Sequence, residues 1–310
     1  MTAEKAYRPT TLADLSGQEK AKKMLNIYIK AAKMKGETLD HALISGPSGY
    51  GKTTVANIIG HEMGREVKVY SGPAIKTVQD ITDILDSVQK DEIIFIDEIH
   101  SLKSKVQEVL YFSMEQFVLD VNIDGEAIRR PMPHFTLIGA TTSLGGLEAP
   151  CRNRFPIQIE LLPYDANSMM NIVKRSYAAM GIDIDDKCAS IIGNCSRSTP
   201  RIANSYVRRV WDYALVMNEG KIDEETVYNA LDMIGINKYG LNNMDMEYLR
   251  YLDSARKAVG IETLATALGT DKTSLEEVVE PYLIQRKFIM KGARGRSITQ
   301  LGSQIVNEEE

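Results

Sequence analysis

The sequence predicts an α/β domain built on a parallel sheet, followed by a small all-α domain and a winged helix. Three observations carry this. Up to residue 160, short apolar runs alternate with helical patterns; over 163–237 the patterns are helical only; over 244–299 the order is helix, turn, helix, hairpin. Strands that read as continuous apolar runs belong to a sheet covered on both faces. The last order is that of a winged helix-turn-helix unit. The expected domains are 1–162, 163–237 and 238–310.

Each element has its own warrant. Residues 41–45, 67–70, 93–96 and 135–139 are the apolar strands of the first domain. Residues 52–63 read as a helix, as do 78–88, where Ile81, Ile84, Leu85 and Val88 recur at helical spacing. In the second domain Asp165 is placed to cap a helix running through Tyr177. Thr199 followed by Pro200 is an N-cap with proline at the first helical position, and that helix continues through Val207, Val210, Trp211 and Ala214. In the third, Leu264 and Leu268 belong to a short helix ending near Gly269. Thr273 and Glu276 have the spacing of a capping box that opens the next helix. Pro281 should end or kink it. Residues 288–290 and 297–299 are the hairpin strands, flanking the polar stretch 291–296.

Composition narrows the function classes. The chain has 310 residues, 44% apolar and 25% charged, an ordinary globular mix. The net charge of −5 excludes a uniformly basic nucleic-acid coat, so any DNA contact must come from a local patch. No apolar run approaches the roughly 18 residues of a membrane span. Met1 to Pro9 lacks the apolar core of a secretory signal. Cys151, Cys188 and Cys195 read as free thiols of a reducing cytoplasm. His41, His61, His100 and His134 show no zinc-type spacing.

The chemistry concentrates at three strand ends. Gly46-Pro47-Ser48-Gly49-Tyr50-Gly51-Lys52-Thr53 fits G-x-x-x-x-G-K-[ST], after a strand and before a helix. Gly49 and Gly51 let backbone N–H groups wrap phosphate oxygens, and the helix N-terminus adds partial positive charge. Lys52 would reach the outer phosphates of ATP, and Thr53 would hold Mg²⁺. The apolar strand ending in Asp97 and Glu98 supplies the complementary acids: Asp97 to position Mg²⁺ through its water shell, Glu98 to polarise the attacking water. The strand ending at Thr141 and Thr142 lies beside it in an ATPase sheet; we take Thr142, rather than Thr141, as the hydroxyl that senses the γ-phosphate. Arg201 stands in the first turn of its helix, where a cation is unfavourable unless an anion compensates, either nucleotide phosphate or a nearby carboxylate. Arg152 and Arg154 follow a Gly145-Gly146 turn, and in an oligomeric ATPase one such arginine projects into a neighbour's site. A finger of that kind is worth about 10³–10⁵ in rate. In 281–300 Arg286, Lys287, Lys291, Arg294 and Arg296 are unaccompanied by acids, and Lys291, Arg294 and Arg296 fall in the wing. Glu276, Glu277 and Glu280 on the preceding helix would repel phosphate, so the wing, rather than that helix, would grip the DNA backbone. A basic protein-docking face is the other reading.

With these motifs in place, the chain resembles the RuvB family of Holliday-junction branch-migration motors, within the AAA+ ATPases, from about Tyr7 to about Thr299. The P-loop and acidic strand are common to many ATPases. The segments TPRIAN, EPYLIQRKF and ARGR are more specific. The resemblance implies a P-loop AAA+ domain, a helical lid and a winged helix. It implies that Tyr7 and Arg8 line the adenine pocket, that Thr54 joins the P-loop, and that Tyr164 and Arg201 touch the nucleotide from the lid side. It implies that Arg154 is the finger and that Glu115, Gln116 and Phe117 lie near the boundary with the next subunit. It also implies a hexameric ring on double-stranded or branched DNA, loaded by a RuvA-like junction-binding protein that docks on a hairpin at 121–133. Ser48 replaces a proline of the family pattern, Asn153 an aspartate and Tyr7 a leucine; the 121–133 segment is shorter and polar, with Asn122, Asp124, Glu126, Arg129 and Arg130. The core motifs by themselves serve equally an ATP-driven translocase and a DNA-tethered nucleotide switch.

Overall fold

The computed structural model describes residues 8–123 and 126–309. Tyr7 and Asp124 lie outside them. Contacts divide the chain into two compact units. The first runs to Ile182 and includes Ser198–Ile202; the second comprises Asp183–Arg197 and the chain from Ala203 onward.

The first unit is a parallel sheet with helices. Helix α1 (Glu19–Lys35) buries Ala21, Leu25, Ile29 and Ala32 on one stripe and stops at Gly36, whose left-handed backbone lets its N–H turn back to the carbonyls of Ala32 and Lys33. Strand β1 (Ala42–Ser45) leads through the glycine-rich turn into α2 (Lys52–Met63). Then follow β2 (Val67–Ser71), α3 (Val78–Asp86), β3 (Ile93–Asp97) and α4 (Ser104–Gln116). A hairpin, β4 (Val118–Ile123) and β5 (Glu126–Pro131), precedes β6 (Thr136–Thr141), the short helix α5 (Ala149–Arg152), β7 (Ile157–Glu160) and α6 (Ala166–Ala179). Thr77 and Asp80 form a capping box on α3, and Asp165 caps α6 as expected, accepting from Ser168 N–H.

The sheet order is β2-β3-β6-β1-β7, every neighbour parallel. In register, Ser45 of β1 lies beside Thr141 of β6, and Ile96 of β3 beside Gly139. The carboxyl ends of β1, β3 and β6 therefore converge on one edge, where ligands of open α/β sheets bind. β7 is a fifth strand beyond the four that apolar runs predict. Its Ile157 and Ile159 are buried while Gln158 and Glu160 are exposed, so it reads as alternation and not as a run.

The second unit holds α7 (Asp186–Cys195) and most of α8 (Pro200–Met217), with α9 (Glu224–Met233). It continues with α10 (Asn243–Ala255), α11 (Ile261–Ala267), α12 (Lys272–Ser274), a π turn (Leu275–Val279), α13 (Glu280–Gln285), the hairpin β8 (Ile289–Gly292) and β9 (Gly295–Ile298), and α14 (Gln300–Glu308). Three local expectations are corrected here. The cap of α12 is Asp271, which accepts from Ser274 N–H; Thr273 is already helical, because the carboxylate reaches the first turn two residues earlier. Of the two outcomes expected at Pro281, an end or a kink, the helix does not end: Pro281 stands in the first turn of α13, directly after the π turn, a departure from regular helix of the kind that accommodates a proline ring. The strands extend into the polar stretch, pairing Lys291 with Arg296 and Gly292 with Gly295, so the turn is shorter than expected.

Cys151 is buried in the first unit, Cys188 and Cys195 in the second, all as free thiols. Burial pushes the Cys151 and Cys188 thiols up to about 12 and that of Cys195 up to about 11.

Candidate active site

The glycine-rich turn between β1 and α2 is wound for close approach. Gly49 has φ +81° and Gly51 φ +98°. A β-carbon on Gly49 would stand 2.8 Å from Thr199 Cγ2 and 3.1 Å from Arg201 Cβ, so the turn and the start of α8 share space that only a glycine leaves open. Lys52 is buried at the head of α2, and its Nζ donates to the carbonyls of Gly46 at 2.9 Å and Pro47 at 3.3 Å. Desolvation lowers its pKa, against the charges of Glu98 and Asp97, which raise it. Thr53 and Thr54 follow, both half-buried in the first turn of α2.

The acids stand across from it. Asp97 ends β3, and its Oδ1 accepts the N–H of Glu98 at 3.1 Å. Glu98 adopts left-handed backbone, φ 51° and ψ 47°, between β3 and a 3₁₀ turn, Ile99–Ser101. Its Oε1 lies 4.0 Å from Lys52 Nζ, and its Oε2 accepts from Thr142 Oγ1 at 3.0 Å. The structure thus brings Lys52, Glu98 and Thr142 together. Thr141, the other candidate, is buried, and its hydroxyl donates to Ser143 O at 2.9 Å. Thr53 and Asp97 offer a hydroxyl and a carboxylate, hard oxygen donors that suit Mg²⁺ and leave most positions to water and phosphate.

Arg201 lies along the turn, with its backbone N–H 3.4 Å from Gly49 O and its guanidinium 3.3 Å from Ser48 Oγ. Ser48 is the glycine-rich turn's departure from the family pattern, and its contact with Arg201 is visible only in the fold. Tyr164 is buried, donates to Tyr50 O at 3.0 Å, and is pushed up to about 12 by burial. Arg8 is exposed. His100, which motif reading passed over, sits 3.2 Å from Glu98 Oε2; its place in the turn after Asp97 was the only signal in the sequence.

A second group forms elsewhere in the unit. Arg154 donates to Glu115 Oε2 at 2.6 Å, and its buried Nε meets no acceptor among the described residues. Phe117, also left-handed, meets the His134 ring at a tilt with centroids 4.2 Å apart, and Gln116 is exposed. Arg154, Glu115, Phe117 and His134 join Glu37, Asp40 and His41 around a cleft of about 680 Å³. They sit at the amino edge of the sheet: Arg154 precedes β7, whose Ile157 pairs with Ala42, the first residue of β1, whereas Lys52 follows its last. Arg154, Glu115 and Phe117 therefore do not meet Lys52 within one chain.

The wing departs from expectation. Arg296 is 6% exposed, with Nε donating to Glu280 Oε1 at 2.7 Å and Nη2 to Glu276 Oε1 at 2.7 Å. Glu280, 1% exposed, also accepts from Tyr248 OH at 2.9 Å. Lys291 Nζ lies 3.1 Å from Glu276 and 3.5 Å from Glu280. The acids expected to repel phosphate instead neutralise two of the three wing cations. Arg296 is a buried structural charge, not a surface grip; Arg294 is exposed.

Residues 7–161 match the family described as the Holliday junction DNA helicase RuvB P-loop domain, residues 164–237 the RuvB AAA lid domain, and residues 238–307 the RuvB C-terminal winged helix domain. The chain is similar to the solved structure of the Thermotoga maritima RuvB Holliday junction branch migration motor, at 38% identity and TM-score 0.84, covering 97% of this chain and 98% of that one. A proline-to-glycine mutant of that protein aligns at 37% identity and TM-score 0.85, with the same coverage.

Proposed function

This chain belongs to the RuvB family, and on that premise we propose that it is an ATP-driven motor that migrates the branch point of Holliday junctions in recombination and repair. The observation that carries the reading is the convergence of Lys52, Glu98 and Thr142 on one edge of the parallel sheet, with Arg201 laid over the glycine-rich turn.

In this reading the turn from Gly46 to Thr53 cradles the phosphates of ATP, and Lys52 leaves its two carbonyl partners for the outer phosphate oxygens. Thr53 and Asp97 hold Mg²⁺, which neutralises phosphate charge when bound. Glu98 accepts the proton of the attacking water, and Thr142 reads the γ-phosphate. Tyr7, Arg8, Thr54 and Tyr164 enclose the nucleotide, and Arg201 meets it from the lid. Arg154, which faces the opposite sheet edge in its own chain, acts in the site of the next subunit, with Glu115, Gln116 and Phe117 along that boundary. The assembly is a hexameric ring on duplex or branched DNA in the cytoplasm. The wing meets backbone phosphate through Arg294, with Lys291 as a partly neutralised neighbour. The hairpin of β4 and β5 is the place for a RuvA-like junction-binding protein.

Lys52→Ala should lower ATP turnover by about 10²–10³-fold, the usual cost of removing one preorganised charge contact. It should also stop movement of a synthetic four-way junction. Junctions that still migrate with that variant would overturn the site. Nucleotide-dependent DNA binding by the native chain with no junction movement would favour a tethered switch instead.

A further inference from the structure

We propose that His100 is a positioning residue for Glu98. Its Nδ1 touches both Thr141 Oγ1 and Glu98 Oε2, and this contact holds the carboxylate in the orientation from which it takes a proton.

The hydrogen on Nδ1 follows from its partners. Nδ1 lies 3.0 Å from Thr141 Oγ1 and 3.2 Å from Glu98 Oε2. The Thr141 hydroxyl has Ser143 O within reach of its one hydrogen at 2.9 Å and accepts from Ser143 N–H at 3.0 Å. A carboxylate oxygen only accepts. With the Thr141 hydrogen on Ser143 O, both neighbours of Nδ1 are acceptors, and we place the imidazole hydrogen on Nδ1. Glu98 Oε2 accepts from Thr142 Oγ1–H at 3.0 Å and has His100 Nδ1 3.2 Å away, while Oε1 faces Lys52.

The ring is itself seated. A β-carbon on Gly146 would stand 3.0 Å from His100 Cβ and 3.4 Å from its Cδ2, so the imidazole rests on a position that tolerates no side chain without a shift. Buried Gln107 fixes that floor: its Nε2 donates to Leu102 O at 2.8 Å and to Gly146 O at 3.4 Å, and its Oε1 accepts Glu148 N–H at 3.1 Å. Glu98 needs such support, because it projects from a left-handed, half-buried turn and not from regular helix or strand.

The proposal rests on the reading of Glu98 as the water-activating base. Two measurements test it on the full chain. With ¹⁵N-histidine labelling, the native protein gives four imidazole spin systems, and the one missing from His100→Asn is His100. Nδ1 should be the hydrogen-bearing nitrogen at alkaline pH; a ring carrying its sole hydrogen on Nε2 overturns the proposal. In kinetics, His100→Ala should lower kcat by about 10–100-fold, the usual effect of losing a group that orients a reacting one. KM for ATP should stay nearly constant, because the lost interaction acts in the chemical step. His100→Asn, whose amide N–H can stand where Nδ1–H stood, should recover most of kcat. Unchanged kcat in His100→Ala, or equal loss in both variants, overturns it; if His100→Ala fails to fold, the nitrogen spectrum and the asparagine variant decide. Turnover that survives Glu98→Gln sinks the base assignment instead, and it does so without altering the resting nitrogen spectrum.

Discussion

His41 is held neutral by its surroundings. Burial drives its pKa down to about 4, against the Met114 carbonyl and the Asp40 charge, which favour the proton. Its Nδ1 accepts Leu137 N–H at 2.9 Å, and Nε2 faces Met114 O at 3.2 Å, joining the entrance of β1 to the end of α4 just before Glu115. The unfolded chain keeps an ordinary imidazole near 6.5. Between the two values the unfolded state binds a proton that the folded state refuses. The His41 contribution is therefore complete above about pH 6.5 and is lost as pH falls toward 4, by about 3 kcal/mol in all. Urea unfolding at pH 7 and pH 5 should show the native chain losing about 2 kcal/mol more than His41→Gln; parallel losses would refute it. Nothing in the sequence around His41 signals this, because its partners lie on distant strands and helices. Lys52, by contrast, is legible, since its place at the head of a helix follows from glycines and a hydroxyl in one continuous turn.

Among the elements, the wing separates what a local pattern carries from what it does not. Helix, turn, helix and hairpin are all local, and all are present. The pairing of Arg296 with Glu280 is not local: it joins β9 to α13, and counting charges along 281–300 left the acids of 276–280 on the wrong side of the ledger. β7 escaped for a related reason, since an edge strand alternates where the central strands run apolar. Pro281 stays in the helical run directly after a π turn, where the irregular spacing suits a residue that cannot continue the regular ladder. Two neighbouring arginines should now behave oppositely. Arg296→Met strands Glu280 in the core and should cost about 3–5 kcal/mol, read as a fall in melting temperature. Arg294→Ala should leave melting unchanged but weaken duplex binding and reduce the salt slope of affinity by about one. An Arg296 variant that melts normally yet loses DNA would reverse both assignments.

For the whole molecule, the decisive feature is that the chain carries Lys52, Glu98 and Thr142 at one edge of the sheet and Arg154 at the other. Mixed with Lys52→Ala, Arg154→Ala should regain part of the ATPase that each lacks alone, because some interfaces then pair an intact turn with an intact arginine. A mixed assembly, verified by native mass measurement, that stays as inactive as its parents would exclude action between subunits. The order of domains is readable because each family segment is a continuous stretch of chain; the placing of Arg154 and Lys52 at opposite edges is not, because it follows from the strand order and not from spacing along the sequence. The three cysteines give this molecule one more property. Each thiol is buried and reluctant to ionise, so a maleimide added to folded protein should pass them by and label only a cysteine introduced at the surface. When the native thiols do react, they time the opening of their surroundings, Cys151 for the sheet and Cys188 with Cys195 for the other unit: two built-in clocks that need no engineering.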